Sequence, residues 1–577
     1  QLRPAFRRGF FSFSVGLVVQ SLNIWMLLGT IIMGIAWLLP NAAQPWLSAW
    51  SEGAAIVGVM FFGLAWLASG HKRSMVSKPL VLIAIASILS VLIQALVGRM
   101  LFYGDAIMTA IYLIAWLLAV HAGSVVKQLD SVKQGQHLDI FFAILLISAL
   151  VSVGLALMQW LGVKSLGVYI LDLPPNGRPF ANLGQPNNFN TLCFLGSISL
   201  LYFYERKRLN GPLLLFGWSC MMLGMALSYS RTGWLQISCI VIFLTISHGR
   251  YNFRCNRRKI IYLTSIYVVF VVLLPSINEV LYLGSPRTLA SQTQEIVRLP
   301  YWVSMLHAIF EQPWFGYGWL QTGLAQQASQ SPAFHAGIFN FSHNIILDIF
   351  IWTGLPVGLI ILSGLIWWVV YAWRSVENSL QIVMLIGILG VSIHAMLEYP
   401  LAYAYFLIPI GFMMGSLEMR AASTWIVARW QVALLSAVLA VAALLVGMDY
   451  FAAEKTARDM RYQSARIGMQ VEPVEVPKLL LLNQLDGLLR YGYQDPSEDI
   501  SMEELAEFGY VSDRYGFTFV MFRYALASAF LGEYELTRKT LTNICRIHAM
   551  QKCRQAQQEW INWSEKYPNS VGKVDFP

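Results

Sequence analysis

The chain of 577 residues is 57% hydrophobic and only 12% charged, well below the roughly 25% charged usage of soluble domains, which excludes an ordinary soluble fold. Its net charge of +9 does not mark a nucleic-acid binder, because the basic residues are spread over many short connections rather than gathered on one face. The class that remains is an all-α polytopic membrane protein.

Apolar stretches of about 16 to 22 residues, bounded by charges, Pro or Gly, are long enough to cross a hydrocarbon core of about 30 Å as helices. About thirteen occur, near 22–40, 54–69, 79–97, 106–122, 139–162, 187–204, 211–227, 233–247, 260–277, 350–373, 379–397, 402–418 and 428–447. The first follows Arg3, Arg7 and Arg8 and lacks a small-residue cleavage pattern, so it is expected to stay as an anchor. One set of alternate loops is rich in Lys and Arg, among them Lys72, Arg73, Arg206, Lys207, Arg208, Arg254, Arg257, Arg258 and Arg420. The opposite short loops hold Arg99, Lys164, Arg178 and Arg231. That bias predicts a cytoplasmic N-terminus, and the odd count then puts residues 448–577 outside.

Three outer segments are too polar to be mere connections: 163–186, 278–349 and 448–577. The second runs to about seventy residues, and loops of that length are usually functional or carry structure of their own. Within it, "RLPYWVSMLHAIFEQPWFGYGWL" (298–320) is patterned as a short helix stopped by Pro313 and followed by a Gly-aromatic turn. The chain thus divides into a transmembrane part, 1–447, which includes the loops 163–186 and 278–349, and a helical part, 448–577. Around "RYALASAFLGEYELTRKTLTNICRI" (523–547) apolar residues recur at three and four spacings about Gly532, a helical hairpin of tetratricopeptide appearance without that family's repeated consensus.

Cys193, Cys220 and Cys239 fall in apolar stretches and Cys255 in a basic loop, where buried or free thiols are expected. Cys545 and Cys553 belong to the outer segment, where a disulfide can form. One continuous helix would hold them about 12 Å apart, so a bridge requires a break in the helix. No Cys/His cluster has metal-ligand spacing.

The polar residues converge on one boundary. Arg178 and "QPNNFN" (185–190), with Gln185, Asn187 and Asn188, stand at the mouth of the sixth stretch. Arg231, in "SYSRTGW" (228–234), occupies a very short outer turn. His343 and Asn344, in "FNFSHNIILDIF" (339–350), end the long loop. His394 and Glu398, in "HAMLEYPLAYAYF" (394–406), are four apart and expected on one helix face. Each has a structural alternative: an arginine can snorkel to lipid phosphate, "QPNNFN" can cap a helix, and His394 with Glu398 can be a local pair. Their clustering favours function, because ionisable groups at membrane depth are expensive.

Arginines at such a boundary suit phosphate, which a guanidinium binds bidentately, and a neutral histidine nearby can take a proton from a hydroxyl. Together they describe transfer from a lipid phosphate or diphosphate donor. The outer loops contain no Asp-x-Asp pair to hold a metal, so the preferred chemistry uses neither metal nor cofactor.

"RPFANLGQPNNFN", "SYSRTGW", "FSHNIILDIFIWTGLPVG" and "HAMLEYPLAYAYFLIP" resemble successive signatures of the bacterial O-antigen ligase and Wzy polymerase superfamily, and more closely its PglL/PilO-type protein O-oligosaccharyltransferases. The resemblance covers about 140–577 and implies a polytopic helical fold related to the C-type glycosyltransferases. It implies an inner-membrane enzyme that moves glycan from undecaprenyl diphosphate to Ser or Thr of a periplasmic protein, often a type IV pilin. In that frame His343 is the general-base candidate, Arg231 a diphosphate ligand and Gln185 a donor- or acceptor-site residue. Arg178 and Arg298 are further phosphate candidates, and Tyr399 and Tyr403 line the site. The sequence departs from the family at "QPNNFNTL", where a small residue such as Ala is expected near Asn190.

The expected reaction is a direct displacement that inverts the anomeric centre, with either His343 or His394 as base. Ligation of O-antigen to lipid A core or polymerisation of glycan units would use the same donor. A solute transporter is the remote alternative, since transporters place their polar sites near the bilayer midplane and in repeated halves.

Overall fold

The computed structural model describes residues 24–133, 135–163, 167–175, 177–283, 298–329, 337–417, 423–466, 474–493, 496 and 499–577. The basic residues Arg3, Arg7, Arg8, Lys164 and Arg420 and much of the long loop lie outside the described residues.

Each expected apolar stretch falls on a helix. In chain order these are α1 (Ile24–Ala36), α2 (Ala49–Ala68), α3 (Lys78–Leu96), α4 (Tyr103–Lys133), α5 (Gln136–Trp160), α6 (Pro186–Glu205), α7 (Gly211–Leu227), α8 (Arg231–Ser247) and α9 (Arg257–Val280). The long loop carries α10 (Arg298–Glu311) and α11 (Thr322–Ala328), and α12 (Ile345–Ser375), α13 (Ser379–Ala395), α14 (Ala404–Ser416) and α15 (Arg429–Ser464) follow. Five more α-helices follow among the described residues: α16 (Asn483–Gly492), α17 (Met502–Tyr515), α18 (Thr518–Phe530), α19 (Tyr534–Ile547) and α20 (Met550–Lys566). α2, α3, α4, α5, α9, α12 and α15 are long and apolar enough to cross a membrane, so this is a multi-pass membrane protein. α1, α7, α8, α13 and α14 are apolar but shorter.

α6 belongs to neither group. Its first turns carry Asn187, Asn188, Asn190 and Thr191, and every residue from Asn187 to Tyr202 is buried. It packs against α5, α7, α8 and α13, so protein rather than lipid surrounds it. Part of this polarity is satisfied inside the protein: the Asn190 amide donates to Gln236 Oε1 at 2.7 Å, and Gln236 donates to Thr191 Oγ1 and to the Gly390 carbonyl, both at 3.1 Å.

The helical reading has one exception among the described residues. The connections before α3 and α15 pair as an antiparallel ribbon, β1 (Arg73–Ser77) with β2 (Thr424–Ala428), in the register Arg73↔Ala428 and Met75↔Ile426. The sequence separation of the two segments hid this pairing.

α12 kinks at Gly354, whose φ of 73° favours glycine. The backbone groups the kink releases are taken by the Gly-aromatic turn after α10. Tyr317 N donates to the Ile351 carbonyl at 2.7 Å, Gly318 N to Trp352 at 3.1 Å, and Leu355 N to the Pro313 carbonyl at 2.7 Å. A Cβ on Gly354 would stand 2.5 Å from the Trp314 carbonyl oxygen, so the close approach itself needs a glycine.

α15 continues through Gly447 to Ser464, and its Asp449 carboxylate accepts the successive backbone N–H groups of Leu480, Leu481 and Leu482. α17 is tied to the start of α4 by the Arg514–Asp105 pair, with contacts of 2.6 and 3.0 Å and both side chains largely buried. α18 and α19 form the hairpin expected about Gly532. The helix breaks between Ile547 and Met550, which brings the Cα atoms of Cys545 and Cys553 to 4.8 Å and allows the disulfide they form.

Candidate active site

Glu398 is where the separate signatures meet. It follows α13 in a short connection, and its side chain is only 6% exposed. The Nδ1 of His343 lies 2.6 Å from Glu398 Oε2, Asn187 Nδ2 donates to Oε1 at 2.9 Å, and the Arg298 guanidinium donates to the same Oε1. Four segments distant in the chain, at the starts of α6, α10 and α12 and the end of α13, thus share one carboxylate. Burial alone would raise the pKa of Glu398; the hydrogen bond and charge of His343 and the charge of Arg298 outweigh it and hold the group below the ordinary carboxylate range.

His343 adopts a left-handed backbone, φ 58°, which is uncommon for a residue with a Cβ. Its neighbours hold it there. Ser342 N donates to Asp348 Oδ1 at 2.7 Å, Ser342 Oγ to the Asn344 carbonyl at 2.8 Å, and Trp302 Nε1 of α10 to the Ser342 carbonyl at 2.9 Å. Backbone strain kept by this many constraints belongs at a site whose side chain must point in a set direction. The ring of His343 stands edge-on to Tyr399 at 5.1 Å and to Phe339 at 5.3 Å, and its side chain is 18% exposed. Tyr399 stacks on Phe341, and Tyr403 follows at 5.8 Å.

One expectation changes in the structure. The side chains of His394 and Glu398 do not meet: Glu398 N still donates to the His394 carbonyl at 2.9 Å, but its carboxylate turns to His343, and His394 is fully buried with Nδ1 2.8 Å from Thr191 Oγ1. Asn344 caps α12, its Oδ1 accepting from Ile346 N and Leu347 N. Asn188 is buried and donates to the Tyr405 hydroxyl at 3.2 Å. Gln185 is the N-cap residue of α6, in extended conformation and half-buried.

The two remaining arginines are linked through one turn. Arg178 donates to the carbonyl of Tyr229 at 3.3 Å, two residues before Arg231, which opens α8. α6 and α8 run in the same direction, and the Asn190–Gln236 bond fixes their relative height. Counting back three residues to Asn187 and five to Arg231, at about 1.5 Å each, sets Arg231 roughly 3 Å farther out along the axes. By this count the backbone at Arg231 stands just above the level of Asn187, and Arg178 reaches the same turn through the Tyr229 carbonyl.

Sequence reasoning missed Asp348, Thr191 and Gln236. Asp348 is a carboxylate inside an apolar helix and could have been singled out on that ground alone. Among the described residues no group of three His, Cys, Asp or Glu is arranged to hold a metal ion.

The fold and this cluster define a multi-pass membrane protein with a His–Glu–Arg centre at the mouth of its helical bundle. The family model described as O-Antigen ligase matches residues 216–362, and that described as Virulence factor membrane-bound polymerase, C-terminal, matches 382–561. Two curated relatives come from Acinetobacter baylyi. A "General O-oligosaccharyltransferase" is 28% identical over 404 residues, 68% of this chain and 69% of its own length. A "ComP-specific O-oligosaccharyltransferase" is 26% identical over 397 residues, 68% of this chain and 71% of its own. The chain carries an O-antigen ligase domain and is homologous to these O-oligosaccharyltransferases. No solved structure is significantly similar to it.

Proposed function

We propose that the protein is a glycosyltransferase of the inner membrane that moves an oligosaccharide en bloc from undecaprenyl diphosphate to a Ser or Thr of a periplasmic protein such as a type IV pilin. The observation that carries this reading is the His343–Glu398 contact, 2.6 Å, with Arg178 and Arg231 meeting at the turn that opens α8. The homology to two proteins named as O-oligosaccharyltransferases supports a protein acceptor.

With Glu398 accepting from Nδ1–H, Nε2 of His343 is the basic nitrogen, and the carboxylate stabilises the imidazolium that forms. Nε2 takes the proton of the acceptor hydroxyl. The oxygen forms a bond to the anomeric carbon as the bond from that carbon to the diphosphate oxygen breaks, its electron pair leaving with the diphosphate. Arg231 and Arg178 meet the growing negative charge. Arg298, paired with Glu398, helps keep that carboxylate ionised. His394, enclosed beside Thr191, is the weaker base candidate. The reaction inverts the anomeric centre, and no metal enters it. The Cys545–Cys553 bridge suits an oxidising compartment, which agrees with an outer location for the C-terminal helices.

The test is the intact mass of a type IV pilin-like protein from cells that make a defined undecaprenyl-linked glycan, with either this protein or His343→Ala at equal membrane expression. A glycan-sized increase with the first and none with the second is the expected result. The match to the O-Antigen ligase model favours ligation as the second reading, and a shifted lipopolysaccharide ladder from the same cells with an unmodified pilin would establish it instead.

A further inference from the structure

α10 has three faces. Tyr301, Ser304, Met305, Ala308 and Ile309 are buried against the protein. Through this side the helix grips the site: Arg298 reaches Glu398, Trp302 holds the Ser342 carbonyl, and the Tyr301 hydroxyl bonds the Phe341 carbonyl. On the opposite side Leu299, Val303, Leu306 and Phe310 are exposed, Phe310 by 70%. At 100° per residue these four fall within a sector of about 60°, with His307 and Glu311 along one edge.

The apolar stripe does not stop at the helix end. Trp314, 72% exposed, and Phe315 continue it. The Phe315 carbonyl accepts from Gln94 Nε2 at 2.9 Å, which seats this turn against the last turns of α3. There Leu92, Ile93 and Leu96 are exposed on a helix apolar enough to span a membrane. Gln94 lies on the opposite face of α3 from these three, so the contact sets the stripe at their level along the helix, the depth at which α3 turns apolar side chains outward. α10 itself has 14 residues, about 21 Å at 1.5 Å each, too short to cross a core of about 30 Å.

We propose that α10 is an interfacial helix whose Leu299–Val303–Leu306–Phe310 stripe, with Trp314 and Phe315, is embedded in the lipid of one leaflet, while its buried face holds His343 and Glu398 in place. Its partner is the bilayer. An amphipathic helix of this kind lies with its apolar face below the headgroups and its polar edge in water, which is where His307 and Glu311 stand. Arg298, at its first position, is thereby brought to the depth of lipid phosphates. The inference does not depend on the reaction proposed above.

The test uses the full chain in vesicles of phosphatidylethanolamine and phosphatidylglycerol. A nitroxide label is placed at Phe310→Cys or Val303→Cys in a Cys220→Ser background, the other free thiols being buried. Leu92→Cys on α3 serves as the lipid reference and Glu535→Cys, whose side chain is 94% exposed on α19, as the water reference. Collision rates with oxygen and with a water-soluble nickel chelate are read by power saturation. The expected result is an oxygen-to-nickel ratio at both α10 sites several-fold above that at Glu535→Cys and close to that at Leu92→Cys. A ratio matching Glu535→Cys would show a face open to water and overturn the proposal. Protection from both reagents would show a face covered by protein, such as a second copy, and would overturn it equally.

Discussion

His343 and Glu398 are 55 positions apart in sequence and 2.6 Å apart in space, and Glu398 is held to Asn187 and Arg298 as well. If the carboxylate fixes the histidine tautomer and stabilises the imidazolium, its charge matters more than its shape. Glu398→Gln keeps the shape and removes the charge. Transfer in membranes of equal expression is expected to fall at least about a hundredfold, in the range that a positioned proton-transfer group contributes. Activity within a few fold of the parent would remove Glu398 from the mechanism.

The same carboxylate predicts a pH effect on stability. Its folded pKa lies below the unfolded one, because His343 and Arg298 outweigh burial. The stabilisation it gives is therefore fully present above the unfolded value of about 4.3 and is lost as pH falls through the folded value. Thermal unfolding of the detergent-solubilised protein is expected to weaken on acidification below about pH 5, and Glu398→Gln is expected to lose that component while keeping the rest of the acid response. An identical acid slope in both proteins would contradict the assignment.

The helices were legible because apolar length and flanking charge are local properties. The site was legible in part because its residues punctuate those helices at a common end. What the residues do to one another was not legible. His394 and Glu398 share a spacing of four, yet the helix ends between them and they turn to different partners. Asn344 stands beside His343 in sequence but caps α12. The ribbon joining Arg73–Ser77 to Thr424–Ala428 pairs segments far apart in sequence, so although Thr424, Trp425, Ile426 and Val427 are strand formers, a local reading supplies no partner for them.

The Arg514–Asp105 pair fastens the C-terminal helices to the bundle. Both side chains are largely buried and the guanidinium uses two nitrogens, so removing one partner leaves the other charged and unpaired in a dry contact. Arg514→Ala is expected to loosen this docking by about 3 kcal/mol or more. Hydrogen exchange should then rise in α16 and α17 before it rises in α6. Replacing both members by apolar residues, Arg514→Met with Asp105→Leu, should recover most of the loss. Unchanged exchange in Arg514→Ala would show that the apolar contacts alone hold the interface.

Asn187 separates two accounts of the polar cluster at the start of α6. It is buried, and its amide nitrogen donates to Glu398 Oε1 at 2.9 Å. Were it only a helix-start residue, Ala and Asp would be ranked by helix chemistry, and Asp would be the better tolerated because a carboxylate in the first turn is favourable. If its purpose is to hold Glu398, the order reverses. Asn187→Ala removes one hydrogen bond to a charged group, worth about 1.5–3 kcal/mol, while Arg298 and His343 still hold the carboxylate. Asn187→Asp sets a second carboxylate against the first, which forces one of them to take a proton and competes with Glu398 for the histidine. Transfer activity is therefore expected to fall in the order parent, Asn187→Ala, Asn187→Asp, with the Asp variant recovering on mild acidification as the added carboxyl is neutralised. The opposite order, with Asn187→Asp more active than Asn187→Ala at neutral pH, would return Asn187 to a capping role and leave Glu398 positioned by Arg298 and His343 alone.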